Sequence, residues 1–204
     1  MDSDSAALRR TPRRRSRLSP QRKAELYAAV LDLLREVGYD TLTMGAVAAR
    51  ARCSKATLYR QWAGKPELVA QALRRQKPVT LADIDTGSLR GDLSEMVVQA
   101  DHRRLAEDTA LLRGLAQAAQ SHPDLFEALR DLVIDPELAG LDALLSRAVE
   151  RQEISAGSPA RTYVPHALLG ALIAHELVEE GPADRTFLRD YVDGVILPAL
   201  TAAP

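Results

Sequence analysis

The chain has 204 residues, of which 46% are hydrophobic and 27% are charged, and it contains a single cysteine. This composition is typical of a globular protein and excludes a small secreted fold held by disulfides, because one thiol has no partner within the chain. The longest apolar run, residues 167–174, is too short to cross a bilayer, and the basic N-terminus lacks the apolar core of a signal peptide. We therefore expect a cytoplasmic protein without a membrane partner.

The net charge of −1 conceals two parts of opposite character. Residues 1–77 carry 17 Lys and Arg against 7 Asp and Glu, a net charge of +10, whereas residues 78–204 carry 10 against 21, a net charge of −11. A polyanion is attracted to the first part and repelled by the second. This division is typical of a nucleic-acid-binding module joined to a domain with another task.

The predicted elements begin with a disordered basic arm over residues 1–18, which contains six arginines and almost no apolar residue that could anchor them. Ser19 and Pro20 then predict the start of a helix, and Gly38 predicts its end. One face of this helix is apolar at helical spacing, through Leu26, Val30, Leu33, Leu34 and Val37.

Two short helices follow, the first capped by Thr43 and the second, from Lys55 to about Gln61, capped by Ser54. Both are too short to be stable alone, so they must pack on the first helix. A fourth helix is predicted from Pro66 to about Gln76. The side chains expected to join the short helices to the first one are Val47, Ala48, Ala51 and Leu58.

The remaining chain, residues 78–204, is predicted to form a second, all-helical domain after a connector over residues 78–91. Its apolar residues repeat every 3.6 positions and nowhere alternate as in strands. The dipeptide Asp135-Pro136 is expected to kink or split the central helix. The predicted helices span residues 89–106, 110–120, 123–151, 165–180 and 184–197, which makes an all-α fold of about nine helices.

Two short helices joined by a tight turn within residues 19–77 form a helix-turn-helix by spacing alone. We assign Lys55 and Thr57, on the second helix, to base edges in the major groove. Donors to phosphates are expected at Thr43, Tyr59, Arg60 and Lys65. A helical hairpin with a merely solvated polar face is the alternative, and the charge of +10 favours DNA.

Four runs of sequence carry a resemblance to a known family: residues 38–44 (GYDTLTM), the small residues Val47, Ala48 and Ala51, residues 54–62 (SKATLYRQW) and residues 65–69 (KPELV). Together they resemble the N-terminal domain of the TetR family of transcriptional regulators. The resemblance implies an all-α homodimer in which the helix from Ser54 to Gln61 reads one operator half-site per subunit. It also implies a C-terminal pocket for a small-molecule effector that controls release from DNA.

One position departs from the family pattern, because Arg52 stands where the family usually has glycine in the turn. If the backbone is left-handed there, arginine adds about 1 kcal/mol of strain. Arg52 would in turn be free to touch a phosphate. The complete predicted DNA-binding set is Thr43, Arg52, Ser54, Lys55, Ala56, Thr57, Tyr59, Arg60 and Lys65.

Two further sites are predicted in residues 78–204. Helix faces that mix apolar walls with a few polar groups are typical of ligand pockets, although ordinary core and surface would look the same. The candidate pocket residues are Met96, Gln99, His102, Arg103, Leu115, Phe126, Leu129, Arg130 and Val133. The helix after Pro165 is apolar nearly all round, and the resemblance places the subunit interface on the last two helices, at Leu168, Leu169, Leu172, Ile173, Tyr191 and Val195.

The sequence thus predicts a homodimeric, ligand-responsive transcriptional repressor that binds double-stranded operator DNA. A DNA-binding protein controlled by a partner protein, or by no ligand, remains the alternative. No enzyme is predicted, because no phosphate-binding loop, nucleophile motif or cysteine pair occurs. Neither a cofactor nor a metal site is expected. We interpret Cys53 as a core thiol in preference to a redox switch.

Overall fold

The computed structural model describes residues 18–76, 81–99, 105–179 and 181–202, with only the backbone of residues 105–107. Within these ranges the chain forms nine continuous helices and no strand, which confirms the predicted all-α fold. Eleven α-helical segments make up these helices, because two π-turns each join a pair. The segments are α1 Pro20–Thr41, α2 Met44–Arg50, α3 Lys55–Gln61, α4 Lys65–Gln76, α5 Leu89–Gln99, α6 Leu105–Ser121, α7 Pro123–Leu129, α8 Asp135–Glu150, α9 Ala160–Val178, α10 Arg185–Tyr191 and α11 Leu197–Thr201.

The helix α1 starts and ends where local chemistry requires. The Ser19 hydroxyl accepts a hydrogen bond from the backbone N–H of Arg22 at 3.2 Å, and Pro20 occupies the first turn. Gly38 has a φ of 74°, so the regular helix stops there and one further turn ends at Thr41. The predicted arm lies outside the described residues except for Leu18, which packs against the first core instead of belonging to a free arm.

The helix-turn-helix agrees closely with the prediction. Thr43 and Ser54 cap α2 and α3 through their side chains, and α3 spans Lys55–Gln61. The four residues expected to join these helices to α1 are all buried. On the other side of the unit, Gln71 of α4 accepts hydrogen bonds of 3.0 Å from both the Trp62 indole and the Tyr27 hydroxyl.

Two of the predicted C-terminal helices contain a π-turn. Residues 130–134 join α7 to α8, and residues 192–196 join α10 to α11. Each π-turn comes just before a proline, Pro136 or Pro198, which lacks an N–H and clashes with the carbonyl four residues earlier. The wider turn accommodates both defects without breaking the helix path.

Other boundaries differ from the prediction. The helix α9 begins at Ala160, five residues before Pro165, because Val164 is buried in the second core and holds this turn in place. Of the predicted helix 89–106, residues 89–99 form α5, residues 100–104 lie outside the described ranges, and Leu105 begins α6.

The described residues form two hydrophobic cores, which do not follow the boundary at residue 77. The first core contains the inward faces of α1 to α4 together with Leu111 and Leu115 of α6 and Leu125 of α7. The second core is formed by α5 and α8 to α11. Two helices of the acidic C-terminal part are thus built into the core of the basic N-terminal part. Any shift of α6 or α7 must therefore act on the helix-turn-helix unit.

Candidate nucleic-acid interface and effector cavity

The turn between α2 and α3 holds Arg52 in a left-handed conformation with a φ of 49°. This geometry matches the expectation for the position where the resemblance calls for glycine, and it costs about 1 kcal/mol. The guanidinium of Arg22, on α1, donates hydrogen bonds to the carbonyl oxygens of Ala51 and Arg52. Sequence reasoning missed Arg22, because no local pattern links residues that are thirty positions apart.

The helix α3 presents a polar face to solvent. Leu58 is fully buried, whereas Lys55, Ala56, Tyr59 and Arg60 are exposed. Two other predicted site residues have structural roles in this helix: Ser54 accepts from the backbone N–H of Thr57 at 3.1 Å, and their hydroxyl oxygens lie 2.9 Å apart. The exposed residues therefore form the surface that can enter a DNA groove.

Several basic side chains on this surface are not paired with acidic side chains of the described residues. Arg50 pairs with Glu36 through two hydrogen bonds of 2.6 and 3.0 Å, and Arg50 thereby lowers the pKa of that carboxyl. In contrast, Arg52, Lys55 and Arg60 have no acidic side-chain partner among the described residues. Three unpaired cations around one short helix favour contact with phosphate groups.

Lys65 is engaged inside the protein, unlike the predicted phosphate donors Tyr59 and Arg60. Its ammonium donates to the backbone carbonyl of Tyr39 at 2.9 Å and lies 4.0 Å from the centroid of that ring. Burial, together with the charges of Asp124 and Asp40, raises the pKa of Tyr39 to about 12, so the ring stays neutral. The same ring contacts His122, whose Nε2 lies 2.7 Å from Asp40. This cluster connects α1, α4 and α7.

The predicted pocket residues do not converge on one cavity. His102 and Arg103 lie outside the described ranges. Leu115, Leu129 and Val133 pack in or against the first core, whereas Met96 packs against the second. Among the polar and exposed candidates, Gln99 is hydrogen-bonded to Glu95, Phe126 is 52% exposed, and Arg130 pairs with Asp135 at 2.8 Å.

A cavity of about 820 Å³ lies instead between α1 and α6. Leu34, Leu111 and Leu115 form its apolar floor, and Asp40 and Gln117 contribute polar groups. Of the predicted pocket residues that the structure describes, only Leu115 lines it. The cavity could not be found from sequence, since it depends on how two helices about seventy residues apart pack against each other.

Two family models match the chain. "Bacterial regulatory proteins, tetR family" covers residues 26–72, and "Tetracyclin repressor-like, C-terminal domain" covers residues 83–195, more than half of the chain. The chain belongs to the TetR family. The resemblance of the helix-turn-helix is thereby confirmed and extended to the C-terminal helices.

Relatives of known name support the same assignment. The chain is 37% identical over 177 residues to the DNA-binding transcriptional repressor TetR of Mycobacteroides abscessus, covering 86% of this chain and 92% of the relative. It is 36% identical to an HTH-type transcriptional regulator of Mycobacterium tuberculosis, with 88% of each chain covered. The solved structure of the TetR-family regulator SCO0332 superposes with a TM-score of 0.66 at 28% identity, over 90% of this chain and 100% of that one. This TetR-family chain is a DNA-binding transcriptional regulator.

The TetR-family C-terminal helices expose several large apolar residues in the single chain. Among the predicted interface residues, Leu169 and Val195 are exposed, while Leu168, Leu172, Ile173 and Tyr191 are half-buried against the second core or beside it. Sequence reasoning missed three more exposed apolar residues on α9, which are Tyr163, Leu177 and Val178. A second cavity, of about 380 Å³, lies between α9 and α10.

The described part of the chain shows neither a helix long and apolar enough to cross a membrane nor a group of three His, Cys, Asp or Glu residues placed to hold a metal ion. Cys53 is half-buried and packs against the first core, in agreement with the interpretation of it as a core thiol.

Proposed function

We propose that this regulator is a homodimeric, cytoplasmic repressor that leaves its operator when a small-molecule effector binds to its C-terminal part. The observation that carries the proposal is the shared first core. Helices α6 and α7 belong to the C-terminal part, yet their apolar faces pack directly on α1 and α4. A ligand that displaces α6 therefore moves the helix-turn-helix with it.

Such a movement matters because a dimer must hold its two recognition helices about 34 Å apart, one turn of the duplex. An effector releases DNA only if it binds the wrongly spaced dimer more tightly. Coupling of this kind typically amounts to about 1–3 kcal/mol, or about 5- to 150-fold in operator affinity.

The cavity between α1 and α6 is our candidate effector site, since it is bordered by both parts. Its volume is within the range of sites that hold drug-sized molecules. The fold accommodates small molecules in other proteins: the structure of FadR from Bacillus subtilis, with a TM-score of 0.64 and 15% identity, was solved in complex with stearoyl-CoA. That likeness concerns the fold alone. The experiment described next identifies the effector of this chain.

The first step of the test is to identify the operator by sequencing the genomic DNA that the protein protects. Compounds related to the products of the neighbouring genes are then titrated against the protein with and without operator duplex. Because linkage is reciprocal, operator must weaken the effector by the same factor by which the effector weakens operator. Equal effector affinity in both titrations contradicts the proposal and favours a regulator controlled by a partner protein or by no ligand.

A further inference from the structure

The end of the Lys55 side chain lies beside Gly45 of α2. A Cβ atom placed on Gly45 would lie 2.8 Å from Cε and 3.1 Å from Nζ of Lys55, and 3.7 Å from the Thr43 hydroxyl oxygen. The end of the lysine therefore occupies the space that a side chain at position 45 would need. The Lys55 ammonium and the Thr43 hydroxyl face the same point above α2.

The backbone does not require glycine at position 45. Gly45 lies inside α2 and is not one of the glycines with positive φ. Glycine within a helix costs about 1 kcal/mol relative to alanine. The structural gain at this position is space, because any side chain here would collide with Lys55.

The position of Lys55 decides which part of DNA it can reach. In a helix-turn-helix the second helix enters the major groove, whereas the first helix crosses the sugar-phosphate backbone. An ammonium beside α2 is therefore placed to reach the DNA backbone instead of the base edges. It has no acidic partner among the described residues, and the neighbouring Thr43 hydroxyl can donate its proton to the same acceptor.

We propose that Gly45 is a positioning residue that seats Lys55 on α2, where Lys55 binds a DNA phosphate instead of reading a base. This replaces the expectation from sequence that Lys55 reads base edges, and leaves base reading to other exposed residues of α3. The inference rests on the DNA-binding activity alone and is independent of the proposed effector response.

The test uses the full-length chain and two DNA probes: a library of 30-base-pair duplexes of random sequence, and one duplex that the wild type selects from it. Affinities are measured at several salt concentrations, and bound library members are sequenced. Lys55→Ala is expected to weaken both probes about tenfold, to lower the salt slope by about 0.9 for each subunit bound, and to leave the base preferences unchanged. A changed base preference with an unchanged salt slope would overturn the proposal.

Gly45→Ala tests the seat itself. The added methyl collides only with the flexible end of Lys55, so the fold is retained and the higher helix propensity of alanine offsets any local cost. The salt slope should fall as it does for Lys55→Ala, and the double variant should be no weaker than Lys55→Ala alone. Additive losses, or an unchanged slope in Gly45→Ala, contradict the role of Gly45.

Gly114→Ala is the matched control, because a Cβ at this helical glycine of α6 would meet no atom within 4 Å. It makes the same chemical change and the same gain in helix propensity without touching Lys55. We expect the salt slope and the base preferences of this variant to equal those of the wild type. A shift in Gly114→Ala as large as that in Gly45→Ala would assign the effect to general helix stability and overturn the proposal.

Discussion

Lys65 and Tyr39 hold the start of α4 against the end of α1. The ammonium of Lys65 donates to the Tyr39 carbonyl at 2.9 Å and lies 4.0 Å from the ring centroid, so one side chain makes a charge-assisted hydrogen bond and a cation–π contact. The half-buried lysine is therefore part of the folded framework that presents the helix-turn-helix.

Lys65→Ala should accordingly destabilise the chain. We expect the free energy of unfolding, measured by urea denaturation, to fall by about 1–2 kcal/mol, through loss of the hydrogen bond and the ring contact. The variant should also lose affinity for operator and for random-sequence DNA by the same factor. Arg60→Ala is the control, since the exposed Arg60 has no described partner and its loss should weaken DNA binding without changing stability. Unchanged stability in Lys65→Ala would show that Lys65 contributes only to DNA contact.

Arg52→Gly should make the protein more stable and its DNA binding weaker. Glycine adopts the left-handed φ of 49° without strain, which should raise the free energy of unfolding by about 1 kcal/mol. The loss of a cation next to α3 should lower the salt slope of DNA binding by about 0.9 for each subunit bound. Arg52→Ala removes the same charge but keeps the strain, so it should show the DNA defect without the gain in stability. Equal stability of the two variants would contradict this account.

The helix-turn-helix could be predicted almost completely from sequence, because its determinants are local. Thr43 and Ser54 accept hydrogen bonds from residues three positions later, and the buried faces of α2 and α3 follow from spacing within one short segment. Each of these caps and buried faces is determined by residues within one short segment of the chain. The bounds of α3 are confirmed for this reason.

The effector region could not be predicted in the same way, because its geometry depends on contacts between distant segments. Leu129 and Val133 have the spacing of a pocket wall, yet they pack in or against the first core. A residue of a pocket wall differs from a core residue only in what it packs against. The apolar spacing within a single helix carries no information about that packing partner. Likewise, sequence shows Lys65 as an exposed cation near DNA, whereas its partner Tyr39 lies on another helix.

Asp92 is a fully buried carboxylate that should make the stability of the second core depend on pH. Burial opposes its ionisation, but hydrogen bonds from the backbone and side chain of Thr86 and from Arg151 outweigh this effect and hold the pKa of Asp92 below its ordinary value. Ionised Asp92 therefore stabilises the fold above the unfolded-state pKa of about 3.9, and this contribution is lost as pH falls through the folded-state pKa.

Asp92→Asn is expected to lower the free energy of unfolding at pH 7 by about 1.5–3 kcal/mol, since Thr86 and Arg151 lose a charged acceptor while Arg151 keeps its pairs with Glu153 and Asp85. The difference from the wild type should begin to narrow below about pH 4, because Asp92 then binds a proton in the unfolded chain before it does so in the folded one. Urea denaturation at several pH values measures both effects. The exposed Asp142, which pairs with Arg161 at 3.5 Å, provides the control Asp142→Asn with little change at any pH. A difference that persists unchanged at pH 3 would exclude the proposed role of the charge.

Leu169→Glu should separate the subunits of the proposed dimer without unfolding the chain. Leu169 is a predicted interface residue of α9 that is 50% exposed in the single chain, whereas the half-buried Leu172 packs against the second core, where a charge would also disturb folding. In a dimer joined through α9, the glutamate would be buried without a partner at the interface. Light scattering should therefore give twice the chain mass of 22.3 kDa for the wild type and the single chain mass for the variant. Leu112→Glu, a change at a residue of α6 that is 41% exposed, should leave the dimer intact.

Because two half-sites must be bound together, Leu169→Glu should also lose most of its operator affinity while its thermal unfolding resembles that of a folded monomer. A wild type that is monomeric at micromolar concentration, or a Leu169→Glu variant that stays dimeric, would contradict the placement of the interface at Leu169 of α9.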